Sequence, residues 1–301
     1  MQSRFIVPPD AFRILWKANR LFFLLSAELT YLLGAGIARY LSFQPAPTIV
    51  FSGAGIVASL AFTTYFLERS FNLSAAAARL GRRYLKLFDW RTIMLLAAGL
   101  TLTCCVTLIL LLIRLESFNS LAMLTTLAGV VVCVLYSTPP LRLIESAYGE
   151  FVPTLLVTSL APLFGFVLLA GEVHRLLPMA TFPLTGLHLA LMIVCDLPDY
   201  AEDQRKGKRN LLNAMGWQNA IQTHNLLVLG SFAALGLASF FGLPAFAALP
   251  AILPLPLAAL SVIYLNRIVA GSPVNWNGLL LLSTSAYGSL AYILVVAFWS
   301  H

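Results

Sequence analysis

The chain has 301 residues, of which 59% are hydrophobic and only 10% charged, with a formal net charge of +7. A soluble protein carries about a quarter charged residues, so this chain cannot cover its own surface with polar groups, and lipid must do it. That excludes a soluble globular enzyme; the positive charge reads as membrane topology and attraction to anionic headgroups, not as a nucleic-acid footprint.

A spanning helix needs about 20 predominantly apolar residues. Nine such stretches follow one another at 20–38, 47–67, 92–113, 121–137, 151–170, 177–195, 221–241, 244–265 and 279–299. Inside a bilayer every backbone amide must be paired within its own segment or a closed barrel. The runs are continuous rather than alternating, so the sequence predicts an all-α, polytopic bundle of nine transmembrane helices, one domain over 1–301. The first span follows Arg4, Arg13, Lys17 and Arg20 without a convincing small-residue cleavage site, and is read as retained rather than as a signal peptide. Cys104, Cys105, Cys133 and Cys195 lie in or at the end of spans with no metal spacing, and are read as small packing residues.

With nine spans, sixteen of the nineteen Lys and Arg residues fall on the side of the N-terminus and the even-numbered loops. Arg39, Arg114 and Arg175 remain opposite. The positive-inside rule makes that crowded side cytoplasmic, and a multi-pass protein of the bacterial inner membrane is expected. Two connections on it, 68–91 and 196–219, are longer than a turn requires, and such loops are commonly functional.

The second of these carries the strongest pattern, Cys195-Asp196-Leu197-Pro198-Asp199-Tyr200-Ala201-Glu202-Asp203, then Gln204-Arg205-Lys206-Gly207-Lys208-Arg209-Asn210-Leu211. Asp196, Asp199 and Asp203 fall on one helical face. Three carboxylates there repel one another unless a divalent cation bridges them, and Mg²⁺ takes hard oxygen ligands and completes its shell with substrate phosphates. The bases that follow suit a diphosphate. A solvated helix end with snorkelling charges is the plainer alternative, but Asp196 ends an unbroken apolar run, where an unpartnered charge is costly.

These residues resemble the second aspartate-rich motif of the UbiA-type intramembrane prenyltransferases. Tyr136-Ser137-Thr138-Pro139-Pro140-Leu141-Arg142-Leu143, with Gly149-Glu150 after it, is similar to that family's segment between spans 4 and 5. The number of spans and the placement of both long loops agree as well. The likeness is greatest to members that prenylate quinone precursors such as dihydroxynaphthoate or homogentisate. It implies Mg²⁺-assisted transfer of a polyprenyl group from its diphosphate to a lipophilic aromatic acceptor inside the bundle. The family's first motif, Asn-x-x-x-Asp-x-x-x-Asp at the end of span 2, is matched here by Thr64, Glu68 and Asn72. All three are oxygen ligands, yet only Glu68 is charged, so the implied second metal should be held weakly; the motif is either a weakened site or an abandoned helix end.

Carried over residue by residue, the resemblance implies magnesium at Asp196, Asp199, Asp203, Glu68 and Asn72, with Thr64 as a neutral donor. It implies diphosphate at Lys206, Lys208, Arg209, Arg142 and Arg79. The run Arg79, Arg82, Arg83 and Lys86 serves either the diphosphate or topology. Glu28, midway along span 1, is either a proton acceptor or a neutral, hydrogen-bonded group. His188 either contacts the acceptor or is a packed, hydrogen-bonded histidine. Asn19 and Arg20 are placed to close the pocket mouth. Tyr65, Phe66, Tyr136 and Tyr200 are candidate cation-stabilising rings or interface-belt aromatics. The competing functions are a diverged relative that binds an isoprenoid or a protein partner without catalysis, and a terpene cyclase on the same scaffold. The sequence names neither the acceptor, the isoprenoid length nor the oligomeric state.

Overall fold

The computed structural model describes residues 9–44, 46–80 and 84–301, and the side chains of 22–44, 46–71 and 90–301. Among them the secondary structure is helical throughout: α1 (Pro9–Tyr40), α2 (Pro47–Leu80), α3 (Tyr84–Arg114), α4 (Ser120–Ser137), α5 (Phe151–Leu155), α6 (Ala161–Ala170), α7 (Leu176–Asp196), α8 (Tyr200–Arg205), α9 (Leu211–Met215), α10 (Trp217–Phe240), α11 (Ala245–Ala248), α12 (Leu255–Val269) and α13 (Trp276–Ser300). Nine stretches of the described residues are long and apolar enough to cross a membrane. The expected spans coincide with them to within a few residues at most ends, with one longer departure, because span 6 continues through Asp196 to Arg205.

The stretch expected as the loop 68–91 is mostly helix. α2 runs on to Leu80 and α3 begins at Tyr84, because Ala75, Ala76, Ala77 and Ala78 are the strongest helix formers available. Cys104 faces outward while Cys105 and Cys133 are buried, so only part of the cysteine set packs inside.

α1 is the hub. Its backbone meets α6 directly: a Cβ on Gly34 would stand 1.9 Å from the Pro162 carbonyl oxygen, and one on Gly165 would stand 2.3 Å from the Tyr31 carbonyl oxygen. Small residues at such crossings give membrane helices the close packing that lipid cannot supply. Leu156–Leu160, between α5 and α6, is a π turn in which the Ala161 amide donates to the Leu156 carbonyl. The next donor in that register would be residue 162, and Pro162 has no N–H. The Val157 carbonyl is therefore without a helical partner, and Thr30 Oγ1 reaches across from α1 to donate to it at 2.5 Å. In a dry interior an unpaired carbonyl costs about 1–3 kcal/mol, so this one hydroxyl makes the π turn tolerable.

Beneath the 196–217 segment lies a second apolar cluster. Leu197, Leu211 and Leu212 are buried there against Ile193, Ile221, Leu265 and Leu279. Those leucines anchor the polar segment to the ends of α7, α10, α12 and α13.

Candidate active site

Pro198 explains the local geometry of the acidic stretch. Lacking an amide hydrogen it cannot continue α7, which stops at Asp196; a 3₁₀ turn over Leu197–Asp199 follows, then α8. The three aspartates therefore sit on successive short elements rather than on one regular helix. Asp203 is buried and Asp196 and Asp199 are half-buried. Asp203 Oδ2 accepts from Lys208 Nζ at 2.8 Å and from Asn210 Nδ2 at 3.1 Å. Asn210 also caps α9, its Oδ1 accepting from the Asn213 amide at 2.8 Å. Burial works against the Lys208 charge, but the hydrogen bond from Asp203, with Asp196 and Asp199 behind it, holds the ammonium above the ordinary lysine value. Lys206 pairs instead with exposed Glu202, and Arg209 is exposed.

The sequence reading did not assign Glu150 a role. It begins α5, and its Oε2 accepts from the Leu211 amide at 3.0 Å. Its carboxyl lies against that of Asp196, close enough for direct interaction, while Asp196 Oδ2 is shielded and has no hydrogen-bond donor. An acid opening an apolar span mirrors an acid ending one, and that symmetry with Asp196 was the available signal. Asn210 was also missed, though an Asn before a short apolar helix is an ordinary cap.

The first-motif residues stand apart. Thr64 is buried, its hydroxyl donating to Leu60 within its own helix at 2.8 Å, and the Thr64 carbonyl accepts from Ser137 Oγ at 3.2 Å. This bond ties α2 to the Tyr136–Pro140 turn. Glu68 is half-buried; Asn72 and Arg79 lie in α2, but their side chains are outside the described set, as are Asn19, Arg20, Arg82, Arg83 and Lys86. Arg142 has a left-handed backbone (φ 40°) and pairs with Glu145 at 2.8 Å. Among the described residues no three Asp, Glu, His or Cys side chains converge on a single metal-sized point; the Asn72 side chain lies outside them.

Tyr200 turns away from the acids: its hydroxyl accepts from Gln204 Nε2 at 2.8 Å and from the Trp217 amide at 3.3 Å, and its ring packs on Trp217. That is the interface-aromatic alternative. Next to Thr64, an apolar cavity runs between α1, α2, α4 and the π turn, lined by Phe23, Gly129, Cys133, Leu156 and Phe164 among others. It holds about 530 Å³ of empty space with its open side included. Thr64 to Ile56 and Leu156 to Phe164 each span two helical turns, so the cavity is about 12 Å deep.

The UbiA prenyltransferase family matches residues 91–276, well over half of the chain. The chain belongs to that family. The matched stretch contains the second motif and the Tyr136–Arg142 turn but begins after Glu68. Solved structures agree on the fold. A UbiA homolog from Archaeoglobus fulgidus, bound to GPP and Mg²⁺, superposes with a TM-score of 0.63 at 17% identity, covering 93% of this chain and 98% of that one. The apo UbiA homolog from Aeropyrum pernix K1 gives 0.61 at 15% identity, covering 91% and 96%. A structure described for digeranylgeranylglyceryl phosphate synthase gives 0.62 at 14%, covering 94% and 100%. No curated protein sequence matches the chain.

Proposed function

We propose that this UbiA-family protein transfers a prenyl group from a prenyl diphosphate to an aromatic, quinone-precursor acceptor, with Mg²⁺, at the cytoplasmic face of a bacterial inner membrane. The observation that carries the reading is Asp196: a shielded carboxylate oxygen without a donor, pressed against Glu150, at the end of the bundle where the apolar cavity meets Thr64. Paired acids of this kind are costly when both are ionised, and a proton or a cation between them relieves the repulsion. The donor set is all hard oxygen, which fits Mg²⁺. Asp196 and Glu150, which are in contact, would hold it, with Asp199 and Asp203 further out because Lys208 occupies Asp203 Oδ2, and Glu68 with Asn72 and Thr64 would form the weaker site. When bound, the metal stabilises the departing diphosphate.

The rest falls to the chain's own side chains. Lys208, Lys206, Arg209 and Arg142 (with Arg79 from α2) supply positive charge for the diphosphate oxygens. The prenyl tail lies in the apolar cavity, which excludes water from the allylic carbon. The allylic C–O bond breaks to give diphosphate, an acceptor ring carbon forms the new C–C bond, and that ring carbon loses its proton. Incubation with labelled prenyl diphosphates, Mg²⁺ and hydroxylated naphthoates or benzoates tests this: diphosphate should be released and label should enter a larger lipid. Release of diphosphate with only a hydrocarbon product would replace the reading by a cyclase. No release with any acceptor would end it.

A further inference from the structure

Two turns below Asp196, about 12 Å along α7 by helical rise, polar groups from several helices meet away from lipid. His188, Thr154, Ser26, Ser283 and Tyr287 are all buried, His188 and Tyr287 fully. The Thr154 hydroxyl donates to the Glu150 carbonyl at 2.8 Å and also meets His188 Nδ1 at 2.9 Å. A hydroxyl has one hydrogen, and here the helix carbonyl takes it. With the hydroxyl hydrogen on that carbonyl, His188 Nδ1 carries the proton and donates to Thr154, which leaves Nε2 as a bare lone pair. That Nε2 has no partner, nor does Ser283 Oγ. Tyr287 Oη lies beside Ser26 without a well-formed hydrogen bond. The Tyr287 ring stands edge-on to the His188 ring at 4.9 Å, and Phe22 of α1 packs on Tyr287 at 5.8 Å.

Buried polar atoms in proteins are nearly always paired, and those that are not call for an explanation. Unpaired polar atoms cluster here on the facing helices α7 and α13, walled by aromatic rings. We infer that this nest is the seat of the acceptor's polar end: a hydroxyl of an aromatic acceptor donates to His188 Nε2, and its ring packs against Tyr287. The inference rests on the transferase reading. The distance suits it, because a diphosphate at Asp196 and one aromatic ring together fill roughly the 12 Å between the two levels. His188 is then a binding and orienting residue, its tautomer set by Thr154.

The test separates acceptor from donor. Equilibrium dialysis of a dihydroxynaphthoate against the full detergent-solubilised chain needs no donor and reads the nest alone; Mg²⁺ with GPP, followed by thermal shift, reads the upper site. Wild type should bind the naphthoate saturably, and a naphthalene lacking hydroxyls at least tenfold more weakly. His188→Phe should weaken naphthoate binding at least tenfold, whereas His188→Gln, which keeps an acceptor near the Nε2 position, should stay within about threefold. Thr154→Val, a change of little volume, should weaken it several-fold by freeing the imidazole, and all three variants should keep the donor shift. Unchanged binding in His188→Phe, absent binding in wild type, or donor and acceptor binding lost together in Thr154→Val overturns the inference. So does equal binding of the hydroxyl-free ring, which would mean that water alone serves Nε2. A wild type that binds naphthoate but shows no donor shift would sink the transferase reading instead.

Discussion

The two acidic stretches end at the same side of the bundle and are built on opposite plans. Around Asp196–Leu211 the chain is bound at every turn: Lys208 and Asn210 hold Asp203, Glu150 holds the Leu211 amide, and buried Leu197, Leu211 and Leu212 fix the segment to the helices below. Around Thr64–Asn72 the helix simply continues. Thr64 satisfies its hydroxyl within α2, and the Ser137 bond goes to a backbone carbonyl that any residue would present. The Asp196–Leu211 region has a geometry that its side chains create, and the Thr64–Asn72 backbone is that of an ordinary helix. A motif of the first kind loses function when one residue changes; a motif of the second kind can drift, residue by residue, while the fold is kept.

The sharpest way to break this comparison is at Asp196. Asp196→Asn should abolish the thermal stabilisation given by Mg²⁺ with GPP, which at a hundredfold excess over Kd amounts to about 2.7 kcal/mol, and turnover should fall at least a hundredfold. Glu68→Gln should do less, lowering turnover about tenfold and leaving most of the donor shift. If the two variants were equally damaging, the regions would be equal partners and the contrast would be lost. Asn72→Asp sharpens it: one added carboxylate should lower the Mg²⁺ concentration for half-maximal activity several-fold, since anionic oxygen favours the hard cation. No change would mean that α2 does not face the metal. At smaller scale, Lys208→Met should weaken GPP binding several-fold and Lys206→Met scarcely at all, because Lys206 is paired at the surface with Glu202. Smallest is Ser137→Ala, which removes one neutral hydrogen bond worth about 1 kcal/mol; chemical denaturation should detect it while the donor shift stays put.

Much of this was legible in the residues. The nine spans follow from the length of apolar runs, and the second motif from carboxylates at positions where charge is expensive. What escaped was whatever depends on contacts between distant segments. Glu150 lies 46 positions from Asp196 in sequence, and nothing in either segment alone says that they touch. The aspartates were expected on one helical face, but periodicity takes no account of what Pro198 does to the helix. The 68–91 connection reads as a loop because it is longer than a turn requires, yet its four consecutive alanines favour helix. For His188 the sequence leaves acceptor contact and simple packing both open, and only the Thr154 contact bears on which of its nitrogens is bare.

The π turn carries a consequence for how the bundle tolerates change in length. Such a turn is an α-helix with one residue too many, and each residue of helix advances the side chains by about 100°. Deleting a single residue from Leu156–Leu160 would restore regular winding. Because the π turn takes up its surplus residue within one turn, Phe164 on the cavity wall and Gly165 at the α1 crossing would keep their faces. The span can thus lose one residue here, where loss of one from a regular turn would rotate everything beyond it by about 100°.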